Sequence, residues 1–189
     1  MELKHHGIKG QKWGIRRYQN EDGSLTEEGK KRRSQRVFVS GSSKTQDNTS
    51  NYFRELPDEV KGVLKDYMNK KVKFLVGDAP GIDRQVQDFL KENNYKHVTV
   101  YGPGTQIRYK SNPDWKHKLY NSKYEPGSSE WLAKKDKAMQ RSATEGLAIT
   151  LDEGSKATKE NVRVLKERNK PVKVFQLSKK GKEYDSWIN

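Results

Sequence analysis

The chain has 189 residues, 31% hydrophobic and 34% charged, with a mean hydropathy of −1.16, lean for a packed domain, where apolar residues with glycine reach roughly 45–50%. No stretch approaches the roughly 18 apolar residues of a membrane span, no apolar run follows the start, and cysteine is absent, which argues against a spanning chain, Sec export, disulfides and a thiolate site. The net charge of +14 favours polyanionic partners.

Residues 1–35 are expected to form a basic, mostly irregular and poorly packed leader. Residues 1–36 carry net +5 and show no sustained periodicity. Its Lys9, Lys12, Arg16, Arg17, Lys30, Lys31, Arg32 and Arg33 could grip phosphates, with Trp13 and Tyr18 available to stack on bases. They could equally dock on an acidic surface. His5-His6 stands without further ligands, so no metal site is expected.

From Arg36 the texture changes. Val37-Phe38-Val39 reads as a short buried strand running into Ser40-Gly41-Ser42-Ser43. Pro57 suits a first helical turn, and Val60, Val63, Leu64, Tyr67 and Met68 recur with helical spacing. Phe74-Leu75-Val76 predicts a second strand, closed by Gly77-Asp78-Ala79-Pro80-Gly81. Ile82, Val86, Phe89 and Leu90 stripe the next helix, and His97–Tyr101 predicts a third strand.

Residues 102–129 are rich in Gly, Pro, Ser, Asn, Lys and Tyr, and are expected to be a long loop insertion. Helix over Trp131–Ala143, strand over Gly146–Leu151, a helix striped by Thr158, Asn161, Val162 and Leu165, and strand over Val172–Phe175 follow. Residues 178–189 read as a polar tail. The alternation predicts one doubly wound, Rossmann-like α/β domain over 36–177, with a parallel sheet of about five strands and helices on both faces.

In such a sheet, ligands bind beyond the carboxyl ends of the strands. That rule picks out three small, polar loops, Ser40–Lys44, Gly77–Asp83 and Asp152–Thr158. Gly77 and Gly81 let backbone approach a ligand, the helix start after Gly81 favours phosphate, and Asp78 or Asp83 could take a ribose hydroxyl. Equally, Gly81 could make a turn and Asp83 cap the helix. Ser155 and Thr158 offer hydroxyls, and Lys156 a point charge. Lys135 and Asp136 fall on the apolar stripe of Leu132, Met139 and Ala143, where charge is costly unless paired or lining a site.

The array VSGS, FLVGDAPGIDRQVQDFL, KHVTVYG, KKDKAM, ATEGLAITLDEGSKATKEN and KPVKVF resembles the SLOG superfamily, the nucleotide-binding group named for DprA/Smf and the LOG phosphoribohydrolases. That resemblance implies a nucleotide-type ligand, no required cofactor, and contacts at Gly41, Ser42, Gly77, Asp78, Gly81, Asp83, Lys135, Asp136, Gly154, Ser155 and Thr158. LOG enzymes carry a Gly-Gly-x-Gly-Thr-x-x-Glu loop. Here Ala157 precedes Thr158, and Asn161 stands where the glutamate falls. An amide cannot act as general base or nucleophile, which points away from hydrolysis. Asp78, Asp83 and Glu160 remain the candidate carboxylates.

The segment HHGIKGQKWGIRRYQNEDGSLTEEGKKRR resembles a leader found on head-region and structural proteins of phages of Gram-positive hosts. It implies phage origin, a place in the host cytoplasm or the virion, and contact with virion protein or DNA. A homo-oligomer is expected. The function these readings imply is nucleotide binding directed against nucleotide-signalled host defence. A head-structural or DNA-binding scaffold and a nucleotide N-glycosidase or transferase are the alternatives.

Overall fold

Short runs of β-branched and aromatic residues build the strands, and striped amphipathic segments between them build the helices. The computed structural model describes residues 18–22, 24, 26–42, 56–121, 123–151, 155–177 and 184–188, with backbone alone for 31–34, 151, 177 and 184–188. Two units divide it, residues 1–35 and 36–189.

In the first unit, helix α1 spans Glu27–Ser34. It has no apolar stripe; its start is fixed by Thr26, whose hydroxyl accepts from Gly29 N at 3.0 Å, an N-cap of the usual kind. Ser24 N donates to the Asp22 carboxylate at 2.9 Å, and Thr26 N to the Tyr18 carbonyl at 3.0 Å. A Cβ at Gly29 would lie 2.3 Å from that carbonyl. The expectation of an irregular leader therefore missed a capped helix, because capping leaves no hydrophobic period to read. Tyr18 is half-buried and Lys30 pairs with Glu27 at 2.7 Å. Lys31, Arg32 and Arg33 lie on α1, while Lys9, Lys12, Trp13, Arg16 and Arg17 fall outside the described residues.

The second unit runs β1 (Arg36–Gly41), α2 (Asp58–Asn69), β2 (Lys73–Gly77), α3 (Ile82–Glu92), β3 (Val98–Pro103), β4 (Lys116–Tyr120), α4 (Ser129–Ser142), β5 (Glu145–Leu151), α5 (Lys156–Glu167), β6 (Val172–Leu177) and β7 (Tyr184–Ile188). The sheet order is β4-β3-β2-β1-β5-β6-β7. β1 to β6 are parallel, and β7 pairs antiparallel with β6. This is a Rossmann-like α/β fold with the direction of winding reversing at β1.

Two strands exceed the sequence reading. β4, with sequence KHKLY, lies inside the expected loop 102–129, and β7 inside the expected tail 178–189. Both are edge strands. β4 exposes four of its five residues, so no buried face imposes the alternation by which strands are recognised.

One face of the sheet packs Val37, Val39, Phe74, Val76, Val98, Val100, Leu147 and Ile149 against Val60, Leu64 and Tyr67 of α2 and Ile82, Val86 and Leu90 of α3. The other packs Phe38, Leu75, Tyr101 and Ala148 against Met139 and Ala143 at α4 and Leu165 of α5. Parallel strands need a crossover. Between β3 and β4 it is the irregular strap Gly104–Trp115, laid over α3. The Ser111 hydroxyl donates to Asp88 at 2.8 Å, Tyr109 OH also bonds Asp88, and Trp115 Nε1 donates to the Tyr95 carbonyl at 2.9 Å.

On the α4 face, Arg36 is paired in register with Lys73, Thr99 with Lys116 and Tyr101 with Lys118. These cations share one side of the sheet. Burial, then Lys116, Lys118 and Arg36, lower the Lys73 pKa. Among the described residues, no carboxylate pairs with Lys73, Lys116 or Lys118.

Candidate functional site

β1, β2 and β5 end side by side, and their ends are tied together by backbone. Ser42, just past β1, donates its N–H to the Ile149 carbonyl of β5 at 3.2 Å and accepts at its own carbonyl from Ile82 N of α3 at 3.1 Å. Gly41 makes that approach possible: a Cβ there would stand 2.4 Å from Ile82 Cβ. Gly81 has φ +84 and ψ −131, a conformation that L side chains rarely adopt, so its turn role is met.

Gly77 closes β2 beneath two buried charges. A Cβ at this position would lie 2.1 Å from Asp83 Oδ2 and 2.9 Å from Lys135 Nζ. Lys135 donates to Asp136 Oδ1 at 2.7 Å. Asp136 Oδ2 accepts from Asn161 Nδ2 at 3.2 Å, and the same amide nitrogen donates to Ser40 Oγ at 2.9 Å. Gln140 Nε2 completes the chain by donating to Asn161 Oδ1 at 2.7 Å. One polar network thus joins α3, α4 and α5 over the ends of β1 and β2.

Asp78 continues it toward β3. Its wholly buried carboxylate accepts from Arg108 N at 3.0 Å and from the Arg108 guanidinium. Gly102 leaves the space, since a Cβ there would be 2.8 Å from Asp78 Oδ2. With Asp78, Asp83 and Asp136 against Lys135 and Arg108, the group carries one excess negative charge when all are ionised. That imbalance falls on Asp83. Burial raises its pKa to about 6, with Lys135 opposing and Asp136 and Asp78 adding to the rise. For Lys135, burial pulls down, but Asp136 and Asp83 outweigh it and hold the ammonium above its ordinary value.

The structure thus brings Gly41, Ser42, Gly77, Asp78, Asp83, Lys135 and Asp136 to one stretch of the carboxyl edge, with Gly81 in the turn that leads into α3. Asp83 does not cap α3 from the cap position, which is Gly81; it reaches back to Ala79 N at 3.3 Å. At α5, Ser155 is the cap: its Oγ accepts from Thr158 N at 3.1 Å and lies 2.7 Å from Thr158 Oγ1. Thr158 is buried and Lys156 exposed. Gly154 lies outside the described residues. Glu160 is not part of the cluster. It sits on the solvent side of α5 and pairs with Arg163 at 2.7 Å, which holds its carboxyl below the usual range. Its neighbour Asn161 turns inward.

Sequence reasoning missed Arg108 and Gln140, whereas Ser40 opens one of the three loops it picked out. Arg108 lies 30 residues from its partner, inside a segment with no periodicity. The sequence reads Asn161 as a stripe residue and a lost carboxylate, whereas its amide both donates and accepts here, which a carboxylate could not do.

The two helix starts differ in electrostatics. Two buried carboxylates already stand at the start of α3, which disfavours an anion and suits hydroxyls. The first turn of α5 has no acidic residue, and its first N–H groups and Lys156 face an anion favourably. Among the described residues no group of three or more His, Asp or Glu could hold a metal, and no helix is long and apolar enough to cross a membrane.

Fold and strand-end cluster together define a protein of the Rossmann-like α/β class. No family model matches the sequence. No curated protein matches it either. Among solved structures it is similar to DNA processing protein A from Helicobacter pylori, with a TM-score of 0.53 and 11% identity over 75% of this chain and 65% of that one. The chain therefore spans under two thirds of that protein, whose structure is described as revealing a single-stranded DNA binding mode. It is also similar to TM1055, a structural-genomics target, with a TM-score of 0.48 and 16% identity over 73% of this chain and 72% of that one. At such identities the likeness to DNA processing protein A shows the fold alone, which is Rossmann-like.

Proposed function

We propose that the chain binds a nucleotide or nucleotide-derived small molecule across the ends of β1, β2 and β5. Its phosphate lies at the start of α5 and its sugar hydroxyls lie toward Asp83. The observation that carries this reading is the buried network of Asp83, Lys135, Asp136 and Asn161 at the strand-order reversal, where open α/β sheets place ligands. Burying several charges in one place is costly, and such clusters gather at functional sites more than in plain cores. The ligand is bound and returned intact, because Asn161 offers no charge to a developing oxocarbenium ion. Resemblance of the leader to phage head-region proteins supports phage origin and attachment to virion or nucleic acid, and the use against nucleotide-signalled host defence is an analogy drawn from the nucleotide-binding reading.

A second reading, a nucleic-acid-binding scaffold, is favoured by Lys73, Lys116 and Lys118, which crowd one side of the sheet with no carboxylate paired to them among the described residues. One set of measurements separates the two. Equilibrium binding of AMP, NAD, ADP-ribose and cyclic nucleotides is expected to be saturable, at least tenfold weaker in Lys156→Glu, and free of products by chromatography. Salt-sensitive oligonucleotide binding with no small-nucleotide binding would favour the scaffold, and multiple-turnover release of free base would overturn the non-hydrolytic reading.

A further inference from the structure

The strap Gly104–Trp115 is fastened along its length. Gly104 N donates to the Tyr120 carbonyl at 3.1 Å, and Ser111 N donates to Gln87 Oε1 at 3.0 Å. Gln87 in turn donates to the Gly77 carbonyl at 2.8 Å, so the strap, α3 and the end of β2 are one assembly. In its middle, Asp78 holds Arg108 twice, by backbone and by guanidinium. The Asp78 side chain is wholly buried, whereas that of Arg108 is 38% exposed.

Stability alone does not account for the pair. A buried ion pair replaced by apolar residues of similar size is often neutral or better. What the pair does achieve is placement: an arginine with both backbone and side chain fixed keeps its remaining N–H donors in one orientation, with little entropy left to lose on meeting an anion. Both carboxylate oxygens of Asp78 are engaged by Arg108, Oδ2 by its backbone N–H and Oδ1 by its guanidinium. It is a positioning residue.

From this geometry we infer that Arg108 reads a second anionic group of the bound molecule, so that the ligand carries two separated phosphates, as a dinucleotide does. The inference rests on the nucleotide reading above, with its first phosphate at α5. β5 and β2 are separated by β1 alone, so the two anion positions border one stretch of the strand ends. A mononucleotide places a phosphate at one of them and an uncharged base at the other.

The test measures equilibrium binding of 5′-AMP, 5′-GMP and 5′-phosphorylated diadenylate to three proteins. These are the full chain, Arg108→Lys and the double variant Asp78→Asn/Arg108→Met. The double variant avoids stranding a buried carboxylate, and its melting curve establishes that it folds. The diadenylate is expected to bind the full chain at least tenfold more tightly than AMP, and to lose that margin over AMP in both variants. Equal loss of AMP and diadenylate would overturn the two-anion assignment. So would an Arg108-dependent preference for GMP alone, which would make the arginine a reader of a guanine edge. Absence of binding by any of the three probes would instead sink the underlying nucleotide reading.

Discussion

Replacing Asp83 by Asn should make the protein more stable at pH 7.5. In the folded protein, burial lifts the Asp83 pKa from 3.8 to about 6. A folded-state pKa above the unfolded one means that the folded protein holds the proton more tightly. The stability this contributes is complete below about pH 4 and is lost as pH rises through 6. Once the group is ionised, the shift amounts to about 3 kcal/mol against an unshifted carboxyl. The Asn variant keeps an oxygen for Ala79 N and drops the excess charge of the cluster. For a chain of this size about 2–4 °C of Tm accompanies each kcal/mol, so melting at pH 7.5 should rise by several degrees. The gain should vanish near pH 4. A Tm that falls in the variant at pH 7.5, or a gain that is the same at pH 4 and 7.5, would show that Asp83 is not the strained member of the cluster.

Gly77→Ala should do the reverse, and strongly. The added methyl would arrive 2.1 Å from Asp83 Oδ2 and 2.9 Å from Lys135 Nζ. Neither group can simply swing into water, because both are buried and Lys135 is bonded to Asp136. Pushing them apart leaves charges without partners in the interior, an effect of about 3–5 kcal/mol when one member of a buried pair is lost. Thermal or urea unfolding reads the loss, and ligand binding should fail with it. A Gly77→Ala protein that melts within a degree or two of the parent would mean that the network repacks freely and is not preorganised.

Much of the frame was legible because its strands are buried on both faces. Such strands are short aliphatic runs, and Val37–Val39, Phe74–Val76 and Leu147–Ile149 all read that way. The two edge strands were not legible, for the complementary reason: at an edge, burial no longer dictates residue type. Lys135 and Asp136 could be flagged from spacing alone, since charge on an apolar stripe demands an explanation. Their mutual bond and the burial of Lys135 supply it. Arg108 was out of reach. Its partner lies in another element, and only the folded path of the strap brings the two together.

The lysines crowded on the α4 side of β2 and β4 have a consequence for solution behaviour. Most proteins with surface ion pairs lose a little of that stabilisation as salt is added. Here the dominant short-range interaction among Lys73, Lys116, Lys118 and Arg36 is repulsion, since each of the other three pushes down the pKa of Lys73. Dissolved anions collect at such a face and screen it over about 10 Å at 0.1 M. Melting temperature should therefore climb with sodium chloride between 20 and 300 mM, taken as roughly the range over which that screening length contracts. Lys116→Gln should flatten the climb by removing one contributor. The protein would then be most robust where electrolyte is plentiful, and low-salt buffers would be the poor choice for handling it.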